Sequence, residues 1–391
     1  MQVITGNYEV IKSINTSLVL DALRINDELS RSDLSRITGL TTGTITNITA
    51  KLLDLELIKE VGSSLQSSGG RRPVLLRLND DGAYALAIDI RTTSIEIRLV
   101  DLKAKIIYSL KKEGTFSLDQ GTKLIIDTIQ SLIKKEDIKN KLVGIGISIP
   151  GWVDYETGKI IKLPNLVGWE NYPIKQELEN NFGIPVYIEN DANLSALAEL
   201  WFGKGKKYNN MVYVLVEDGI GTGLIINQQI YRGSGISIGE LGHIPITNSK
   251  KQCSCGNIGC LDTVASAKAM IDQYLGITNQ EIDYITLIDR INHQDKDAFK
   301  VFKNAEESLG FAVSILVNIL HPEAIIFGGK VIHDVPSFLP LVKEAMIGKA
   351  LSPMLQDTVI FSSDLKDSNS ILGAVALVFQ TTLQPYSLNS I

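Results

Sequence analysis

Three cysteines fall within one short stretch of this chain, Cys253, Cys255 and Cys260, and His243 stands ten residues before the first. Three thiolates and one imidazole make a complete tetrahedral donor set, the Cys3His arrangement of a closed structural zinc site. An odd number of cysteines confined to one segment is a poor disulfide framework and suits a reducing compartment, so Zn2+ and a cytoplasmic location are expected. Four protein donors leave no position for a reactive water, and such an ion braces a loop without hydrolysing anything. Glu240 precedes His243 by three residues, which puts both side chains on the braced loop.

Other residues suit more than one chemistry. Asn190-Asp191 stands before an apolar helical stretch, Ala192–Phe202, where it reads as a helix cap and equally as a carboxylate able to take a proton from a hydroxyl. Gly219-Ile-Gly-Thr-Gly223 and Gly328-Gly329 would let backbone approach a phosphate, although tight turns between strands are the favoured reading. Gly203-Lys-Gly-Lys-Lys207 lacks the G-x4-GK[ST] spacing of a P-loop and reads as a solvated basic loop.

The elements that must position these groups differ along the chain. In the first eighty residues, Ser30-Arg-Ser-Asp33 has the form of a capping box, opening a short helix that Gly39 closes. A second helix follows over Thr42–Leu53, with Ile45, Ile48 and Leu52 on one face. Thr42, Thr44, Thr46, Asn47 and Lys51 populate the rest, the small donors and acceptors that base edges and phosphates use. Next come a strand at Leu57–Val61, a Gly/Ser-rich tip at Gly62–Gly70, the pair Arg71-Arg72 before Pro73, and a returning strand at Val74–Leu78. Helix, turn, helix and hairpin together predict a winged helix-turn-helix whose tip offers two guanidinium groups to phosphate or a narrow minor groove.

Charge agrees with a small nucleic-acid surface. Through Asn79 there are nine Lys/Arg against eight Asp/Glu, and beyond it 29 against 36, for an overall −6. Most of the chain would repel a polyanion, so DNA contact is confined to the first segment. After Gly82 the pattern turns to an α/β architecture. Strands are expected at Ala83–Ile90, Ser94–Asp101, Lys105–Leu110, Leu142–Ile149, Val186–Glu189, Asn210–Val216 and Gly221–Ile226, with helices around Leu124–Ile133 and Asn171–Asn180. With 44% hydrophobic and 21% charged residues the composition is that of a soluble globular protein, and no apolar run reaches the about 18 residues of a membrane span.

Several spaced motifs resemble the family that groups bacterial repressors, open reading frames and sugar kinases, known as ROK. They are SIPGWVD at Ser148–Asp154, LPNLVGW at Leu163–Trp169, ENDAN at Glu189–Asn193, GIGTGLIIN at Gly219–Asn227, GELGH at Gly239–His243, CSCGNIGCLDTVAS at Cys253–Ser266 and HPEAIIFGG at His321–Gly329. The winged segment with SSGGRRP is similar to the repressor branch, of xylose-repressor type. The resemblance implies a two-lobed actin-like, ribonuclease H-like sugar kinase fold behind the winged helix-turn-helix. The expected divisions are 1–80 for DNA, 81–195 for a smaller lobe rejoined by a helix at about 373–391, and 196–372 for a larger lobe with the zinc site and a dimer interface.

The resemblance also implies the same four metal ligands and a monosaccharide held by Asn165, Asn190, Asp191, Glu240 and His243. A buried sugar hydroxyl must exchange water for a placed donor or acceptor, and these side chains supply both. Asp262 is a sixth candidate. The family has Glu there, so the chain is one methylene shorter at that point. Family kinases keep their general base at the position of Asp191 and carry a D-x-G-G-T turn to hold nucleotide phosphates. Here that turn is Asp89-Ile-Arg-Thr-Thr93, so no nucleotide and no catalytic residue are expected, and Arg91 is free to bridge within the protein or attract an anion. The expectation is a repressor that binds operator DNA as a homodimer, or as a dimer of dimers, and is released by xylose or a hexose. Alternatives are an active ATP-dependent sugar kinase carrying a DNA-binding module, and a regulator controlled by a protein partner.

Overall fold

The computed structural model describes residues 8–63, 73–163, 166, 168–234, 238–246, 249–366 and 369–383. Arg71, Arg72 and Asn165 lie outside the described residues. The chain packs as two compact units, Met1–Asn190 with Ala374–Ile391, and Asp191–Gly373.

The first unit begins with α1 (Tyr8–Asn26), β1 (Leu29–Ser30), α2 (Arg31–Thr38), α3 (Thr42–Asp54), β2 (Ile58–Ser63) and β3 (Val74–Leu78). Ser30 accepts the Asp33 N–H while the Asp33 carboxylate accepts the Ser30 N–H, a reciprocal cap of the kind that contributes about 1 kcal/mol. The Ser30 and Arg36 side chains, bonded to Asp33, hold its carboxyl below the usual carboxylate range. Gly39 ends α2 at φ 73°, a conformation that disfavours any residue with a Cβ. α3 buries Ile45, Ile48, Thr49 and Leu52. Ile45, Ile48 and Leu52 meet Leu23, Leu34, Ile58 and Leu76 in one apolar core, and Leu383 packs against it. The strands pair in the order β1-β3-β2, with Leu29 opposite Leu76 and Ile58 opposite Leu78. Arg31 ties the pieces together, its Nε donating to Thr49 Oγ1 at 3.1 Å and a terminal nitrogen reaching Glu60 at 3.2 Å.

A short turn at Asp80–Gly82 leads to β4 (Tyr84–Arg91), β5 (Ser94–Asp101), β6 (Ile106–Glu113), α4 (Leu118–Ile133), α5 (Glu136–Lys141), β7 (Leu142–Ile149), β8 (Trp152–Asp154), β9 (Lys159–Lys162), α6 (Ile174–Phe182) and β10 (Val186–Asn190). The sheet order is β10-β7-β4-β5-β6. α4 begins earlier than its apolar spacing suggests because Ser117 and Gln120 form a second capping box. α6 runs later than expected because Pro173 stands at its start and Gly183, at φ 64°, at its end.

The second unit contains α7 (Asp191–Trp201), β11 (Met211–Val216), β12 (Ile220–Ile226), β13 (Gln229–Ile230), α8 (Asp262–Ala265), α9 (Ala267–Thr278), α10 (Tyr284–Asn292), α11 (Lys296–Leu320), β14 (Ala324–Gly328), α12 (Lys330–Asp334), α13 (Phe338–Met346), α14 (Ser352–Asp357) and β15 (Val359–Ser362). The last described helix, α15 (Asn369–Leu383), starts in this unit and finishes in the first. Its sheet runs β13-β12-β11-β14-β15. The two sheets share one plan. An antiparallel meander of three strands is followed by two strands that add in parallel, β7 and β10 in one unit, β14 and β15 in the other. That repetition is the actin-like, ribonuclease H-like α/β fold, here behind a winged helix-turn-helix.

Glycine in the GIGTG segment has a packing role. Its turn falls at Glu217–Gly219, and Gly221 and Gly223 lie within β12 where α7 crosses it. A Cβ at Gly223 would run into the Ala192 carbonyl oxygen and stand 2.8 Å from the Ala196 Cβ. Gly223→Ala should therefore cost about 1–3 kcal/mol of stability, read as a lower urea midpoint; an unchanged midpoint would contradict this packing.

Candidate metal centre and ligand-binding residues

One loop of the second unit gathers the four expected metal donors. His243, Cys253, Cys255 and Cys260 present ligand atoms that all lie within 4.8 Å of one another. Cys255 Sγ is 3.7 Å from Cys260 Sγ, and Cys253 Sγ is 3.4 Å from His243 Nδ1. A tetrahedron with metal–sulfur bonds of about 2.3 Å has edges of about 3.8 Å, so these separations fit one ion. Burial, reinforced by the neighbouring Cys255, pushes the Cys260 thiol up to about 12. Such crowding opposes three thiolates unless a cation shares the space.

His243 has two neighbourhoods. Its Nδ1 faces Cys253, and its Nε2 lies 3.7 Å from Glu240 Oε2. A histidine that gives one nitrogen to a metal keeps its proton on the other, where it can be donated. The same imidazole therefore joins the cysteine cluster to the carboxylate three residues earlier.

The start of β12 is the rail on which the expected ligand residues of this unit are mounted. The Thr222 N–H donates to the Gly239 carbonyl at 3.2 Å, and its hydroxyl donates to the same oxygen. Gly239 and Gly242 lie against the carbonyls of Thr222 and Ile220 so closely that neither site accommodates a Cβ. Glu240 and His243 ride on this loop. On the helix side, Gly221 abuts Ala192 in the first turn of α7, which begins at Asp191. Asp262 joins from a third direction, its Oδ1 accepting the Ile220 N–H at 2.8 Å. Burial raises its carboxyl above the ordinary range. Asp191, Glu240, His243 and Asp262 are thus brought onto one strand end, with one oxygen of Asp262 committed to the backbone.

In the first unit, Asn190 closes β10 and its Nδ2 donates to the Gly151 carbonyl at 3.0 Å. Asp89, near the end of β4, is buried, and Arg91 Nε donates to its Oδ2 at 2.6 Å. Of the two roles open to Arg91, the bridge within the protein is the one present. The two residues after it, Thr92 and Thr93, make the β4–β5 turn without a positive φ.

Sequence reasoning missed a latch at the corresponding edge of the second unit. After Gly329, at φ 95°, the Lys330 N–H donates to Glu217 Oε1 at 3.0 Å. Its ammonium reaches Asp218 at 2.5 Å and lies 4.5 Å from the Tyr284 ring centroid. The acidic pair beside a glycine turn was the available signal. The basic loop at 204–207 is likewise anchored, with Lys204 N–H on Glu199 at 3.0 Å and its ammonium on Asp364 at 2.7 Å.

On the head, Thr42, Thr46, Asn47 and Lys51 are exposed on α3 opposite its core face. Thr44 is half-buried and bonded to the Thr41 hydroxyl at 2.9 Å, which assigns it to the helix cap.

The pattern that defines the ROK family matches residues 85–381. The chain belongs to the ROK family. It is 34% identical over 397 residues to the xylose repressor of Caldicellulosiruptor bescii, covering 97% of this chain and 98% of that protein. A crystal structure of a ROK family transcriptional regulator, a homologue of the E. coli MLC protein, matches with a TM-score of 0.83 at 29% identity. That match covers 96% of this chain and 98% of the other. The ROK hexokinase of Thermus thermophilus matches with a TM-score of 0.66 at 24% identity over 75% of this chain and 97% of that one, a likeness of fold. The ROK regulator therefore matches nearly the whole chain, winged head included.

Cobalt(II) titrated into the reduced protein should saturate at one equivalent with intense thiolate-to-metal absorption, and Cys255→Ser should weaken both. Saturation without that absorption would place the ion elsewhere.

Proposed function

We propose that this ROK protein is a sugar-responsive transcriptional repressor. It binds operator DNA as a homodimer through the winged head and is released by a monosaccharide, xylose or a hexose. The observation that carries this reading is a helix-turn-helix with flanking wing strands in one chain with the ROK motif residues Asn190, Asp191, Glu240 and His243. Likeness to a xylose repressor along nearly its full length supports it.

Zn2+ is the ion proposed for the cysteine loop. Cys253, Cys255, Cys260 and His243 Nδ1 would hold it, and when bound it supplies a closed brace without an open coordination position. The protein's own groups then do the recognition. His243 Nε2–H donates, Glu240 and Asp191 accept, and Asn190 both donates and accepts, so hydroxyls leaving water meet matched partners. Asp262 positions the start of β12, leaving one oxygen to face a ligand.

Phosphoryl transfer is not part of this proposal. A nucleotide phosphate needs backbone amides that approach it closely. At the D-x-G-G-T position the chain offers a threonine turn, and the Asp89 carboxylate is engaged by Arg91. No nucleotide cofactor is assigned.

Release follows from geometry. Two heads must sit about one or more DNA turns apart to read a two-fold operator. α15 offers a mechanical route to the head. Its first residue, Asn369, bonds the Tyr213 hydroxyl in the second unit, and its last, Leu383, packs on the head's core. To reverse a 99:1 preference, the sugar must favour the non-binding state by roughly 5.5 kcal/mol, a total that two sites share in a dimer.

Asp191→Ala should retain operator binding in footprinting and lose release by the sugar that frees the wild type. Release at unchanged sugar concentration would contradict the assignment, and ATP-dependent sugar phosphorylation by the wild type would favour the kinase reading.

A further inference from the structure

The proposed sugar residues are all polar, yet a pyranose is half apolar. Its ring carries C–H groups that lose contact with nothing but water when they meet an aromatic face. Binding sites for such ligands pair a few placed polar groups with an apolar wall.

The first unit has an exposed indole close to one of the proposed sugar residues. Of the three tryptophans, Trp169 is 0% and Trp201 6% exposed, both in the core, while Trp152 is 37% exposed. Trp152 directly follows Gly151, whose carbonyl accepts the Asn190 side-chain amide. The indole therefore starts one residue from a side chain assigned to the sugar.

Its exposure goes with an irregular step in the hairpin. β8 pairs with β9 so that Val153 lies opposite Ile160 and Trp152 opposite Lys162. Val153 and Ile160 are buried in the unit's core, at 1% and 0% exposure. The register shifts between Val153 and Trp152, a bulge that releases the indole from the buried pair, and Trp152 reaches solvent. The Lys162 ammonium stands 5.5 Å from the ring centroid and steadies the indole. The hairpin is stiff. Asp154 Oδ1 accepts the N–H groups of Glu156 at 3.1 Å and Thr157 at 3.0 Å, and Gly158, at φ 71°, closes the turn against Lys175. A platform that is already ordered costs little to use.

We infer that Trp152 is a stacking platform for the C–H face of an uncharged pyranose, set beside Asn190. This rests on the sugar-binding reading above and adds to it a residue that determines affinity by apolar contact. A cation–π pair that only finishes the hairpin surface would place the same two residues together, and experiment separates the two roles.

Full-length protein is titrated calorimetrically with D-xylose, D-glucose and N-acetyl-D-glucosamine, and acrylamide quenching of tryptophan fluorescence is measured with and without the sugar that binds. The sugar should shield the exposed indole and reduce quenching. Trp152→Ala should weaken binding by about tenfold to fiftyfold, with Trp152→Phe recovering most of the loss and operator affinity unchanged in both. If the wild type binds a sugar, unaltered quenching together with an unaltered Kd in Trp152→Ala overturns the platform and leaves the repressor reading standing. Absence of heat from the wild type with every sugar overturns the sugar-binding reading and the platform with it.

Discussion

The imidazole of His243 is the constraint around which the second unit's chemistry is arranged. One ring nitrogen faces the cysteines and the other faces Glu240, so an ion held in the loop and a ligand near the carboxylate would act on the same ring. The loop that carries it is held to β12 by backbone bonds and by two glycines that leave no room for side chains. β12 in turn receives Asp262 at Ile220 and the first turn of α7 at Gly221. Disorder in the cysteine loop would therefore reach Glu240 at once, and through β12 the base of α7.

Much of this was legible in the sequence because short-range rules dictate it. The capping box at Ser30 and Asp33, the left-handed Gly39 and the one-faced spacing of Ile45, Ile48 and Leu52 depend on neighbours within a turn or two, and the head follows from them. The candidate metal donors were legible for a different reason: four side chains of the right type within eighteen residues have little other chemistry to do. Helix starts set by Ser117 and Pro173 were less visible, since apolar periodicity marks where a helix packs and says little of where its cap lies.

What the sequence concealed is long-range. Nothing near Lys330 announces Asp218 and Tyr284, more than forty residues away in each case. The glycines of the GIGTG segment read locally as turn formers, whereas two of them serve a helix that precedes them in the chain. Thr44, which looked like one more polar residue of the reading face, spends its hydroxyl on the helix cap. Asp262 looked like a shortened sugar ligand and gives one oxygen to a backbone amide.

The central claim is that ligand recognition depends on the braced histidine. Calorimetry with the effective monosaccharide should be run on protein loaded with Zn2+, on the same protein stripped by a chelator, and after zinc is restored, with its circular dichroism followed throughout. The account predicts binding heat in the loaded state, its loss on stripping with secondary structure retained, and its return with the ion. Equal heat before and after stripping would show that the sugar is recognised without His243 held in place, and would contradict it.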